Sequence, residues 1–121
     1  MKKLLLASFL VLVFSCKEDT VSSRLEVCGI KDPIRNLPWL KAKIDSLKKE
    51  KQDQMLTVTV VKYKDEIVFD YTILYMSCNI CNVYRCDGSR LDLSKFTQEE
   101  MQEFLKTLRG EGTRGPVIWP Q

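Results

Sequence analysis

Residues 56–75 read LTVTVVKYKDEIVFDYTILY, and this stretch limits the fold more than any other. Leu56, Val58 and Val60 alternate with Thr57 and Thr59; beyond Lys64-Asp65-Glu66, the residues Ile67, Phe69, Tyr71, Ile73 and Tyr75 take alternate places. A period of two, rich in β-branched and aromatic side chains, predicts two strands, and the polar break between them predicts an antiparallel hairpin. Val68, Leu74 and Met76 fall on the second face beside Asp70 and Thr72, which leaves that face half apolar.

Helical periods flank the hairpin. Leu37, Leu40, Ile44 and Leu47 recur at helical spacing behind Pro38, with Trp39 to one side and Ala42, Asp45, Ser46 and Lys49 opposite. The pattern predicts an amphipathic helix over residues 38–51, with proline at its first position, where a missing N–H costs nothing. Thr97 and Glu100 make a T-x-x-E capping box, with Phe96 and Met101 spaced as a hydrophobic staple. Met101, Phe104, Leu105 and Leu108 form the buried stripe, and Gly110 falls where a left-handed residue ends a helix. Between the helices, residues 83–86 and 90–93 flank Asp87-Gly88, a dipeptide favoured in two-residue hairpin turns. The centre of the tail, Pro116-Val117-Ile118-Trp119-Pro120, suits an edge strand, where proline is tolerated. The order predicts an α+β fold: an antiparallel four- to five-stranded sheet with two amphipathic helices covering one face.

The amino-terminal residues carry an address. Lys2 and Lys3 precede a mostly apolar run over residues 4–14. A bilayer-spanning helix needs about 20 apolar residues, so the run matches a secretory signal instead. Leu12-Val13-Phe14-Ser15-Cys16 resembles a bacterial lipobox in a loose form. The resemblance implies that the Cys16 thiol receives a diacylglycerol, that the Ser15–Cys16 bond is cleaved, and that the new amine is acylated. Acyl chains at about 0.8 kcal/mol per buried methylene hold a small domain on a bilayer almost permanently. Lys17 stands where inner-membrane retention signals carry Asp, which implies the outer membrane, facing the periplasm or the cell surface. Lys17-Glu18-Asp19 resembles the charged tag of Bacteroidetes lipoproteins sent to the cell surface. The expected division is signal peptide 1–15, lipidated cysteine and tether 16–27, and one domain 28–121.

Removing residues 1–15 from the 121 leaves 106, with 17 basic and 16 acidic side chains once Lys2 and Lys3 are gone. A net charge of +1 gives no electrostatic reason to expect nucleic-acid binding. Lysines cluster between Lys41 and Lys51, but Asp45, Glu50 and Asp53 offset them, as on a solvated helix face.

With Cys16 assigned to lipid, Cys28, Cys78, Cys81 and Cys86 remain. An even number in an exported domain of this size predicts two disulfides, with three possible connectivities. A bridge from Cys28 to any of the later three closes a long loop, worth about 4 kcal/mol in the chain-entropy model. The favoured pattern includes such a bridge, its partner left open. Cys78-Asn79-Ile80-Cys81 also raises a thiol-disulfide exchange site and a zinc site. A redox pair wants its first cysteine at a helix N-terminus, whereas a strand and turn follow Cys81. Zinc wants a second C-x-x-C, and the sequence has one. Structural disulfides are the expectation, and an exchange pair at Cys78 and Cys81 is the alternative.

The chain contains no histidine, which removes histidine bases and the usual serine or cysteine triads. Phosphate-cradling and nucleophile-elbow glycine motifs are absent. Asp65/Glu66 sits in a turn and Glu99/Glu100 opens a helix, so both carboxylate pairs have structural tasks. Asp87-Gly88-Ser89 with Asp92 hints at calcium, but the EF-hand spacing is missing and a hairpin explains the glycine. Tyr63, Tyr71, Tyr75 and Tyr84 fall at strand positions suited to cross-strand packing; sharing an exposed face with Trp119, they would line a binding surface.

Cys28-Gly29-x-x-Asp32-Pro33 with Leu37-Pro38-Trp39-Leu40, and later Tyr84-x-Cys86-x-Gly88, resemble segments of small Bacteroidetes lipoproteins of unassigned function. The resemblance implies envelope location and brings no activity or cofactor with it. The expectation is a non-enzymatic module anchored in the lipid bilayer through acylated Cys16, without cofactor or metal, and partnered by another envelope or extracellular protein.

Overall fold

The structure, a computed structural model, describes residues 19–76, 78, 81–110 and 114–121. Its centre is the hairpin expected from the alternation. Strands β1 (Glu26–Val27) and β2 (Ile30–Lys31) form a small separate ribbon; β3 (Leu56–Tyr63) and β4 (Glu66–Ile73) pair along their whole length, from Leu56↔Ile73 to Tyr63↔Glu66. Glu66 belongs to the strand, so the turn is the two residues Lys64 and Asp65, at φ +47° and +62°. Strand β5 (Val83–Arg85) joins β4, and β6 (Arg114–Trp119) returns from the carboxy-terminal region to join β3. The sheet is antiparallel throughout, in the order β5-β4-β3-β6.

Three helices complete the fold: α1 (Pro33–Asn36), α2 (Pro38–Lys49) and α3 (Gln98–Leu108). Helix α2 stops two residues short of the expected end. Lys51 turns left-handed at φ +57°, and Gln52 donates its N–H to the Leu47 carbonyl. The capping box on α3 forms as expected, with Glu100 N–H donating to Thr97 Oγ1 and Thr97 N–H donating to Glu100 Oε2. Phe96, before the cap, stacks on Tyr63 and meets Phe104 edge-on.

The α+β class and the four-stranded antiparallel sheet match expectation; the placement of the helices does not. Leu56, Val58, Val60, Phe69, Tyr71 and Ile73 share one face with Leu40, Ile44 and Leu47 of α2. Val61, Tyr63, Val68 and Val83 point the other way and pack with Phe104 and Leu108 of α3. The sheet therefore lies between two helices instead of beneath both. The physical reason is the half-apolar second face. Leaving a valine or leucine in water forfeits about 1.5–3 kcal/mol of burial, so that face recruits its own cover.

Two local expectations also change. The strand expected at 90–93 reduces to a single bridge, Tyr84↔Arg90, beyond a longer turn in which Arg85 N–H meets the Ser89 carbonyl. The Asp92 side chain accepts from the Ser94 N–H and starts a 3-10 turn at Leu93–Lys95, which ends the pairing. The expected tether at 16–27 is likewise not free over its described part. Ser22 is fully buried, donates to Asp32 Oδ1 at 2.7 Å and accepts from the Ile34 N–H, while Leu25 and Val27 pack against the α2-side core.

Candidate functional site

Cys16 and the residues before it lie outside the described residues; the other four of the five cysteines pair two by two. Cys28 joins Cys86 with Cα atoms 5.7 Å apart, which supplies the expected long-range bridge and its partner. Cys78 joins Cys81 with Cα atoms 5.4 Å apart; Asn79 and Ile80 between them lie outside the described residues.

The first pair is the hub of a half-buried clamp. Cys28 and Gly29 form the two-residue turn of the β1–β2 ribbon, both at positive φ. Across the bridge, the Cys86 carbonyl accepts a hydrogen bond from Trp39 Nε1 at 2.9 Å. Trp39 meets Phe69 edge-on at 5.5 Å and lies tilted against Tyr84 at 5.4 Å. The Lys43 ammonium caps this cluster, 4.7 Å from the Tyr84 ring centre and 5.8 Å from that of Tyr71. Burial, aided by Tyr84 and Tyr75, pushes the Tyr71 phenol up to about 12. The segments around Cys28, Trp39 and Cys86, far apart in sequence, meet here. Their chemistry is that of a fastening.

The tyrosines do not share an open face with Trp119. Tyr63, Tyr71, Tyr84 and Trp119 are buried, and Tyr63 lies on the α3 side. Period-two alternation puts a residue on a face without saying what covers that face, and here helices cover both.

Tyr75, the fourth of the tyrosines expected at strand positions, stays exposed, and its neighbour Met55 was not singled out by sequence. Leu74 is 78% exposed and Tyr75 56%, with Met76 and Met55 beside them in the open. The Leu74 N–H donates to the Met55 carbonyl, and Tyr75 hydroxyl donates to Gln52 Oε1. A shallow depression next to this group is lined by Tyr75, Met76, Cys78, Cys81, Asn82 and Arg90. Cys81 is exposed, and strand β5 follows it where a thioredoxin-like pair would continue as a helix. The signal that could have found this region is Ile73-Leu74-Tyr75-Met76, four apolar residues in a row where the polar members of the alternation drop out.

The carboxylates weighed for chemistry serve local structure. Glu66 pairs with Arg85 at 2.9 Å, and Asp65 lies 3.8 Å from Lys62. Glu100 takes the Thr97 N–H on one oxygen and the Lys64 ammonium on the other, and the Lys64 hydrogen bond holds its carboxyl below the ordinary value. Hydrogen bonds from Ser89 and Ser94 likewise lower Asp87 and Asp92. Among the described residues, no three cysteines, aspartates or glutamates gather as metal ligands. No family model, curated protein or solved structure matches this chain.

Proposed function

We propose that this chain is a lipoprotein of the bacterial outer membrane, anchored through acylated Cys16, acting as a non-enzymatic module that binds another envelope or extracellular protein. One observation carries the reading. Cys28, Cys86, Cys78 and Cys81 pair among themselves, and the fifth cysteine is the one at the end of the apolar run, behind Ser15. Paired thiols suit an oxidising compartment, and the odd thiol is then available for lipid. The test is metabolic labelling with palmitate alongside Cys16→Ser. Wild type takes up label and sediments with envelope membranes; the variant does neither. An unlabelled wild type that stays in the membrane would remove the proposal.

A second reading has its own support. Arg90 lines the depression that holds Cys78 and Cys81, and a nearby cation lowers a thiol pKa. On that reading the pair exchanges disulfides with envelope proteins. Trapping of mixed disulfides by a Cys81→Ala variant, with none formed by a Cys78/Cys81 double replacement, would favour it over the anchored binding module.

A further inference from the structure

The first described residues and the exposed apolar residues lie at the same end of the molecule. The start of β3, the end of β4 and the end of β6 lie together, because Leu56 pairs with Ile73 and Val58 with Trp119. Gln121 Nε2 reaches Thr20 Oγ1 at 3.3 Å, which places the first described residues at this end too. The contacts then run unbroken. Val21 and Pro120 line one groove, Trp119 Nε1 donates to the Asp53 carbonyl at 2.9 Å, and Tyr75 hydroxyl meets Gln52 at 3.0 Å. Val21 is 52% exposed and Leu74 78%.

We infer that this pole, formed by Val21, Met55, Leu74, Tyr75 and Met76, rests on the phospholipid surface of the membrane that holds Cys16. The inference rests on acylation of Cys16, and chain length supplies the constraint. Three peptide steps separate Cys16 from Asp19, so the anchor lies within about 11 Å of it even when the chain is fully extended. A domain of about 100 residues has a radius of gyration of about 13 Å and cannot be held clear of the bilayer on so short a lead. Its near side is the side from which the lead departs. That side presents the group suited to a headgroup layer: leucine, methionine and valine beside a tyrosine, whose ring is apolar and whose hydroxyl is wet. Lys48, Lys49 and Lys51 are exposed at the end of α2, next to the same loop, against Glu50 and Asp53. The Lys48 ammonium sits over the Trp119 ring at 5.1 Å, at the edge of the pole. The β3–β4 turn and the start of α3 then face away from the lipid, open to a protein partner.

The test uses the full acylated chain in vesicles of phosphatidylethanolamine and phosphatidylglycerol, with and without brominated acyl chains. Tyr75→Trp places a reporter at the pole, and Gln98→Trp places one at the far end of the molecule, where α3 begins near Lys64. After subtraction of the wild-type signal, brominated lipid quenches Tyr75→Trp and leaves Gln98→Trp unchanged. Vesicle-bound protein with Tyr75→Trp unquenched overturns the inference while leaving the anchor standing. A Tyr75→Trp emission that shifts only when envelope proteins are added assigns the pole to a protein and also overturns it. Failure of the acylated chain to stay with the vesicles removes the anchor reading, and the inference with it.

Discussion

A Cβ built on Gly88 would sit 2.7 Å from Cγ of Trp39, and the backbone there is left-handed at φ +85°. Gly88→Ala therefore combines a left-handed alanine with a ring that must move, and that ring also carries the hydrogen bond to Cys86. The expected loss is about 1–3 kcal/mol, typical of overpacking, read as a lower urea midpoint. A loss below about 0.5 kcal/mol would mean that the ring has room to yield. Sequence offered a turn as the reason for this glycine, and the positive φ agrees. The steric half of the reason was not legible, because Trp39 lies on another element and looked merely off the α2 stripe. The same holds for Ser22, a small polar residue in an expected tether, whose burial depends on Asp32 and Ile34.

Helix α3 shows how far local patterns carry. Its capping box was legible because every partner lies within four residues. Its place on the sheet was not, because that depends on Val61, Tyr63 and Val68 needing cover on a face the alternation left only half apolar. Thr97→Ala removes the acceptor for the Glu100 N–H and should cost about 1 kcal/mol, measured by denaturant unfolding. Glu100 adds a pH dependence. Its carboxyl is lowered in the fold, so the folded state favours the carboxylate. That contribution is complete above the unfolded-state pKa and fades as pH falls through the folded value. Stability of wild type should therefore decline on acidification below the ordinary glutamate value of 4.5 more steeply than that of Glu100→Gln, which keeps a cap acceptor without the charge. Equal slopes in urea midpoints across that range would mean that the Lys64 pair contributes nothing.

The two disulfides act on different lengths of chain. Cys28–Cys86 spans a separation of 58 residues and Cys78–Cys81 only 3. The chain-entropy model assigns about 4 kcal/mol to the first and about 2 to the second. Cys28 and Cys86 are half-buried in the clamp, whereas Cys81 is exposed. Stepwise addition of reductant should release Cys78 and Cys81 first with a small fall in stability, then Cys28 and Cys86 with a larger one. Thiol alkylation with mass spectrometry alongside unfolding curves would show the order, and a single concerted release would refute it. Counting cysteines anticipated two bridges; choosing Cys86 over its neighbours needed the fold, since all three lie at comparable sequence distance from Cys28. Strand β6 has a separate consequence. It pairs with β3, and Ile118 and Trp119 bury themselves in the α2-side core; among the described residues no other strand lies on their outer edge. A chain cut after α3 would expose a β3 edge and an apolar slot, and a synthetic peptide covering residues 114–121 would fit both. Fragment complementation is then available in this fold: the two pieces, mixed, should regain the unfolding cooperativity that the larger piece lacks alone.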